Sequence, residues 1–404
     1  MLFLEFLTAI MLGISFGIIT GLIPGIHVNL ISIILLGLSS YLLGFVSAIT
    51  VCIFIVAMAI THTFLDALPS IFLGSPDPGT ALSVLPGHAL LLRGMGYEAV
   101  RLTVIGSFLS LLVTLLCIPF LIPVVPKIYG FIQPYIGYIL IAVVVYVILT
   151  GKTKEKIFYS SFVFILSGIL GQIVFGIPNI KQPLFPMLSG MFGVSILLIS
   201  LSNKVDIPKQ RVTEMIKVSK LNKIKAIGAA VFSGSLTALF PGLGAAQAAI
   251  IAMAIVGKIG TYSFLILIGG INTVNFLFSL VTLYTLNKAR NGAVVAVLEI
   301  VKSISLSELL VLLCAALIAG CVAAFLALRI GRVFSRLVTK VKYSYLCISI
   351  IALITILVFY FSSWIGLLVL FVSTAIGLIP SLVGVKKSLA MGCLLLPVIL
   401  FFVL

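Results

Sequence analysis

The stretch Gly17-Ile-Ile-Thr20-Gly-Leu-Ile-Pro24-Gly25 is matched in the second half of the chain by Gly234-Ser-Leu-Thr237-Ala-Leu-Phe-Pro241-Gly242. Both read G-x-x-T-x-x-x-P-G, both interrupt an apolar run, and they lie 217 residues apart in a chain of 404. Proline removes a backbone donor and glycine weakens a helix, so each copy predicts a helix that stops and restarts. At membrane depth the freed N–H and C=O groups are tolerated only inside protein or beside a water-filled cavity. Paired breaks at corresponding places in two halves point to a transporter's binding site.

The surroundings of these copies are those of an integral membrane protein. Hydrophobic residues make up 62% of the chain and charged ones 8%, too few to cover a soluble fold of this length. Apolar runs recur throughout, among them Ala48–Ile60, Leu102–Leu121, Ile136–Leu149, Phe158–Ile173, Ser307–Leu328 and Tyr345–Phe361. The lipid bilayer is therefore the first partner. The formal charge of +16 does not indicate nucleic acid, because the basic residues collect between apolar runs, at 152–156, 203–225 and 329–342. That is the pattern of cytoplasmic loops. The six cysteines are scattered through apolar runs without a C-x-x-C pair and read as buried small hydrophobes. The N-terminal run lacks a basic n-region and a small-residue cleavage site, and reads as part of the membrane domain.

Charge placement also orients the halves. With 152–156 inside, its counterpart near Phe361-Ser362-Ser363 carries no basic residue and falls outside. With 329–342 inside, its counterpart near Pro123–Lys127 is nearly uncharged and falls outside. The expectation is an all-α polytopic fold of two inverted-topology repeats, roughly 10–14 transmembrane or re-entrant helices. The repeats would be 1–202 and 226–404, joined by a basic cytoplasmic linker, 203–225.

The candidate substrate-binding residues cluster at the breaks and at two polar interruptions. After the first break the chain reads Gly25-Ile-His27-Val-Asn29, and after the second Gly242-Leu-Gly244-Ala-Ala-Gln247. Helix N-termini opened by Pro24, Gly25, Pro241 and Gly242 suit an anion, with Thr20 and Thr237 alongside. The segment from Thr61 to Thr80 is densely polar for an apolar region. His62 and Asp66 are spaced to share a helix face, and acidic residues within spans mark ion or substrate pathways. These two and Asp77 are the ion-coupling candidates. Ser75, Pro76, Gly79 and Thr80 lie in a run whose consecutive N–H groups can form an anion-binding concavity. The second half answers with Asn272 and Asn275, polar but uncharged. His88, near Arg93, reads as solvated or structural, and Glu299, Lys302 and Glu308 as a paired loop edge.

No Walker motif, H-E-x-x-H or G-x-S-x-G occurs, so neither ATP hydrolysis by that route nor the familiar hydrolase sites are expected. No cofactor is expected beyond Na⁺ or H⁺ as coupling ion.

Four stretches, Gly21-Leu-Ile-Pro24-Gly25, Leu73-Gly74-Ser75-Pro76-Asp77-Pro78-Gly79-Thr80-Ala81, Leu85-Pro86-Gly87-His88 with Gly94-Met-Gly96-Tyr-Glu98-Ala99, and Leu239-Phe-Pro241-Gly242-Leu-Gly244, stand in an order that carries a family likeness. Through them the chain resembles the large membrane subunit of tripartite tricarboxylate transporters, the TctA family. The chain is shorter than typical members, with Asp77 and Pro78 where the family has small residues. The resemblance implies a permease with inverted repeats, partnered by an extracytoplasmic binding protein and a small membrane subunit. The expected function is an ion-coupled, non-enzymatic secondary transporter of a small organic anion of the carboxylate class, in the cell membrane. The alternatives are a translocase of polyprenyl-phosphate or another anionic lipid, and an intramembrane enzyme or scaffold.

Overall fold

The computed structural model describes residues 2–23, 28–74, 84–149, 151, 153–178, 180, 183–202, 208–213, 216–239, 244–257, 259–289, 291–338 and 343–404. Of the described residues 87% are helical and none lies in a strand, so the fold is all-α. Among those residues nine helices are long and apolar enough to cross a membrane. The chain is a multi-pass membrane protein.

In chain order the helices are α1 (Leu2–Leu22), α2 (Val28–Gly37), α3 (Ala48–Leu65, extended by a π-wound turn at Pro69–Leu73), α4 (Val84–Leu91), α5 (Gly96–Leu121), α6 (Val125–Ile132), α7 (Ile136–Leu149) and α8 (Lys154–Gly176). They continue with α9 (Leu184–Ser202), α10 (Lys220–Leu239), α11 (Ala245–Val256), α12 (Gly260–Leu286), α13 (Gly292–Val301), α14 (Leu306–Leu337), α15 (Tyr343–Val383) and α16 (Lys387–Val403). α15 is two helices end to end, broken at Ser363 with φ 53° and ψ −154°. The break falls where the uncharged counterpart of the 152–156 segment was expected.

Both expected interruptions are present, and at equivalent places. α1 ends at Leu22 and the chain resumes as α2 at Val28; α10 ends at Leu239 and resumes as α11 at Ala245. Each of these bounds is shifted by the same 217 residues that separate the two motifs.

Packing repeats in the same way. α1 lies along α3, and α10 lies along α12. A Cβ added at Gly17 would collide with Thr61 and the Met58 carbonyl of α3; one at Gly234 would press on Val274 and the Ile271 carbonyl of α12. α5 packs on α12 while α14 packs on α3, so the halves interleave in this part of the protein. α3 and α12 lie at its centre: 83% of the apolar window in each is buried, against 22–44% in six of the other spans. Helices that are apolar on every side need such a position, surrounded by other helices.

A second group, α7, α8, α9, α15 and α16, shows a repeat of its own. Gly171 of α8 would drive a Cβ into the Cys393 carbonyl of α16, and Gly377 of α15 would do the same to the Met191 carbonyl of α9. Reciprocally, Gly392 meets the Phe164 carbonyl and Ser167, while Gly190 meets the Leu370 carbonyl and Ser373. Small residues at these crossings let backbones touch, which is how helices pack where lipid offers no hydrophobic drive.

The basic segments depart from their expected loop character. α8 begins at Lys154, capped by the Thr153 hydroxyl, so Lys154 and Lys156 lie in its first turn. α10 begins at Lys220, inside the expected linker. α14 runs on to Leu337 and carries Arg329, Arg332 and Arg336. Lys and Arg are good helix formers, and Arg336, in the last turn, suits the negative end of the α14 dipole. Arg329 also stacks on Phe325 at 4.9 Å and Arg332 on Tyr97 at 5.7 Å. Charge marks where an apolar span ends, and the helix continues past it.

The linker is pinned at 208–213. The Arg211 N–H donates to the Gly94 carbonyl at 2.8 Å, and Gln210 accepts from the Gly96 N–H at 2.9 Å while donating to the Leu91 carbonyl at 3.0 Å. The Thr213 hydroxyl donates to the buried Glu98 carboxylate. Met95 provides no side-chain cap for α5, and the linker supplies the missing partners. Of the cysteines, Cys52, Cys347 and Cys393 are buried, whereas Cys314 and Cys321 face outward from α14, so the buried reading fails for those two.

Gly171→Val and Gly377→Val should each destabilise the protein by about 1–3 kcal/mol through overpacking. Gly176→Val, where nothing lies within 4 Å, should leave it nearly unchanged; thermal unfolding in detergent measures all three.

Candidate functional site

The polar residues of the central helices meet between the halves. Thr20 occupies the last turn of α1, and its hydroxyl donates to the Gly17 carbonyl at 3.3 Å. The same hydroxyl lies 3.2 Å from Nδ1 of His62 on α3. Four residues later Asp66 ends the regular part of α3, and its Oδ2 accepts from Nδ2 of Asn272 on α12 at 2.5 Å. A third contact, 3.2 Å between the Thr63 and Thr273 hydroxyls, joins the same two helices. Thr20, His62, Thr63 and Asp66 are each less than 9% exposed, so the cluster lies inside the protein and not at a wet membrane edge.

Local sequence explains why the chain loosens beside Asp66. Pro69 has no N–H to give to the Leu65 carbonyl, and the helix widens into a π turn over Pro69–Leu73. The Ser70 hydroxyl donates to the Asp66 carbonyl at 3.1 Å. Gly74 closes the turn with φ +63°, a conformation that favours glycine. Widened turns of this kind are frequent at functional sites.

The second half carries the equivalent arrangement with different chemistry. Thr237, buried near the end of α10, donates to the Gly234 carbonyl at 2.7 Å, as Thr20 does to Gly17. The register that sets Gly17 on Met58 and Thr61, and Gly234 on Ile271 and Val274, aligns His62 with Asn275. An ionisable imidazole on one side is thus matched by a half-buried amide on the other.

The remaining candidates are distributed as follows. Asn29, on α2, faces Gly292 at the start of α13, where a Cβ would collide with the Asn29 amide. Gly244 precedes α11, and its carbonyl accepts from Ala248 N–H at 3.1 Å. Gln247 lies on the first turn of α11, and its side chain is outside the described set. Pro24, Gly25, His27, Ser75, Pro76, Asp77, Gly79, Thr80, Pro241 and Gly242 lie outside the described residues. Among the described residues no three His, Cys, Asp or Glu side chains come together as a metal site.

His88 is buried, and its Nδ1–H donates to the Ile71 carbonyl at 3.1 Å, tying α4 to the π turn. It lies outside the nine spans. Burial holds its pKa below the ordinary histidine range, against the opposing effect of the Ile71 bond, so the ring is neutral and structural at pH 7. Glu299 pairs with Lys302 at 2.7 Å. Glu308 forms a capping box with Ser305 at the start of α14.

Two features were not anticipated. Thr63 and Thr273 contribute a contact between the halves, although threonines in apolar runs give no signal of their own. Lys387, which no motif or spacing singles out, is buried and donates to Ser195 on α9 at 2.8 Å.

Against known proteins, the sequence model described as "Tripartite tricarboxylate transporter TctA family" matches residues 7–392. An uncharacterized protein of Methanocaldococcus jannaschii is 29% identical over 403 residues, covering 97% of this chain and 98% of that protein. No solved structure matches.

Removing the Asn272 donor should cost about 1.5–3 kcal/mol, the range for a hydrogen bond to a charged group. In a double-mutant cycle by thermal unfolding, Asp66→Ala and Asn272→Ala should couple by about 0.5 kcal/mol or more; additive effects would mean the contact is not formed.

Proposed function

The chain belongs to the tripartite tricarboxylate transporter TctA family, and from that premise we propose that it is the permease of such a system. In this reading it is an ion-coupled secondary transporter of a small organic anion of the carboxylate class, not an enzyme. It resides in the cell membrane with 152–156, 203–225 and 329–342 on the cytoplasmic side. The family works as a three-part transporter, so an extracytoplasmic binding protein and a small membrane subunit are its partners here. The family match does not favour the lipid-translocase alternative.

The observation that carries this reading is the Asp66–Asn272 contact, set between two helix breaks at equivalent positions. An ionisable group buried inside a membrane protein is costly and marks an ion or substrate pathway. The halves are inverted in this reading, as the charge distribution implies. The breaks at Pro24-Gly25 and Pro241-Gly242 bring the N-termini of α2 and α11 toward one anion. Thr20, Thr237, Asn272, Asn275, Gly244 and Gln247 line its site, together with His27, Asn29 and the run Ser75, Pro76, Gly79 and Thr80. His62, Asp66 and Asp77 carry the coupling, to Na⁺ or H⁺, and one repeat rocks against the other to alternate access.

Reconstitution tests the proposal. Proteoliposomes holding this chain with its two partners should accumulate radiolabelled citrate or a smaller carboxylate only under a Na⁺ or pH gradient. Asp66→Asn, and the pair Pro24→Ala with Pro241→Ala, should abolish accumulation at unchanged expression. No uptake of any carboxylate under either gradient contradicts the reading.

A further inference from the structure

Lys387 opens α16 and is 5% exposed. Its Nζ donates to Ser195 Oγ at 2.8 Å, and that hydroxyl in turn donates to the Met191 carbonyl at 2.7 Å. An ammonium has three donors, and Ser195 accepts one of them. Among the described residues no Asp or Glu pairs with it. Its position makes the charge harder to hold, because the N-terminal end of a helix carries partial positive charge and suits anions. A buried cation without a counter-charge costs several kcal/mol, and inside a membrane protein such a residue marks a functional site.

The surroundings are those of a junction. The first turn of α16 packs on α11, the helix that follows the second break. Ser195 comes from α9, whose Leu197 lies 3.4 Å from where a Cβ of Gly74 would be, at the end of the π turn below Asp66. Thus the lysine sits where the chain leaving Asp66 and the helix leaving Pro241-Gly242 both approach the second helix group. The internal repeat does not require a charge here. The register that pairs Gly190 with Gly392 sets Phe185 opposite Lys387, so the first half has an apolar side chain at the corresponding place.

Resting on the anion-permease reading, we infer that Lys387, held by Ser195, is a substrate-binding residue whose ammonium pairs with a carboxylate group of the transported anion. Ser195 positions it by accepting one of its hydrogen bonds and leaves two N–H donors for the ligand.

The test uses purified full-length chain in detergent and a panel of citrate, succinate and acetate, with their amides as neutral controls. Binding is read as ligand-induced thermal stabilisation against concentration. Lys387→Met keeps the volume without the charge and should unfold no earlier than wild type when unliganded, since apolar replacement of a buried charge is often neutral or stabilising. It should weaken carboxylate binding by about tenfold or more, and Lys387→Arg should restore part of it. Ser195→Ala, which keeps the charge, should weaken binding less, and it decides the matter if Lys387→Met does not fold. A wild type that responds to carboxylates while Lys387→Met, or in its absence Ser195→Ala, binds as well as wild type overturns this inference alone. A wild type that responds to no carboxylate overturns the anion-permease reading and this inference with it.

Discussion

Hydrocarbon supplies no hydrogen-bond partners, so the Asp66 carboxylate must find its donors within the protein. Asn272 provides one at 2.5 Å from the other half of the chain. The contact is possible only because α3 and α12 are both central, each enclosed by helices of both halves. That enclosure follows from close approaches of Gly17 of α1 to α3 and Gly234 of α10 to α12 within each half, and of Gly106 of α5 and Gly269 of α12 to each other's helix across the halves, where larger side chains would hold the helices apart. Glycine spacing, interleaved packing and the buried carboxylate are therefore linked: loosening the first exposes the last.

Much of this architecture was legible in the chain. The G-x-x-T-x-x-x-P-G motif anticipates where α1 and α10 end and where α2 and α11 begin, since proline and glycine both disfavour a continuous helix. His62 and Asp66 stood out because charge in an apolar run is costly wherever the fold carries it. Other features depend on tertiary contacts that no local pattern encodes. That α5 packs on α12, and α14 on α3, follows from shape complementarity across long separations. Arg329, Arg332 and Arg336 lie on the end of a helix because charge distribution reports the membrane boundary while propensity and capping govern the helix end. Lys387 was hidden for the same reason: beside Lys386 and after Gly384 it has the composition of a loop, yet the fold closes over it.

The two halves share a backbone plan and differ in side chains. Thr20 and Thr237 make the same bond to the glycine three residues before them, yet the first faces His62 and the register sets the second by Asn275. Asp66, an acid, and Lys387, a base, are both buried, and neither has an ionisable equivalent in the other half. In the transport reading this division has a physical rationale. A repeated scaffold can rest in two related conformations, while unequal charges give an ion and an anion different places to bind.

Whether the repeats are inverted is the claim on which alternating access rests. Phe3 and Lys220 are equivalent positions at the starts of α1 and α10, and both are exposed. In a background lacking the six native cysteines, Phe3→Cys and Lys220→Cys can be labelled separately with a membrane-impermeant thiol reagent, on intact cells and on inverted vesicles. The account predicts labelling from opposite sides, Phe3→Cys from outside and Lys220→Cys from the cytoplasm. Labelling of both from the same side would contradict it.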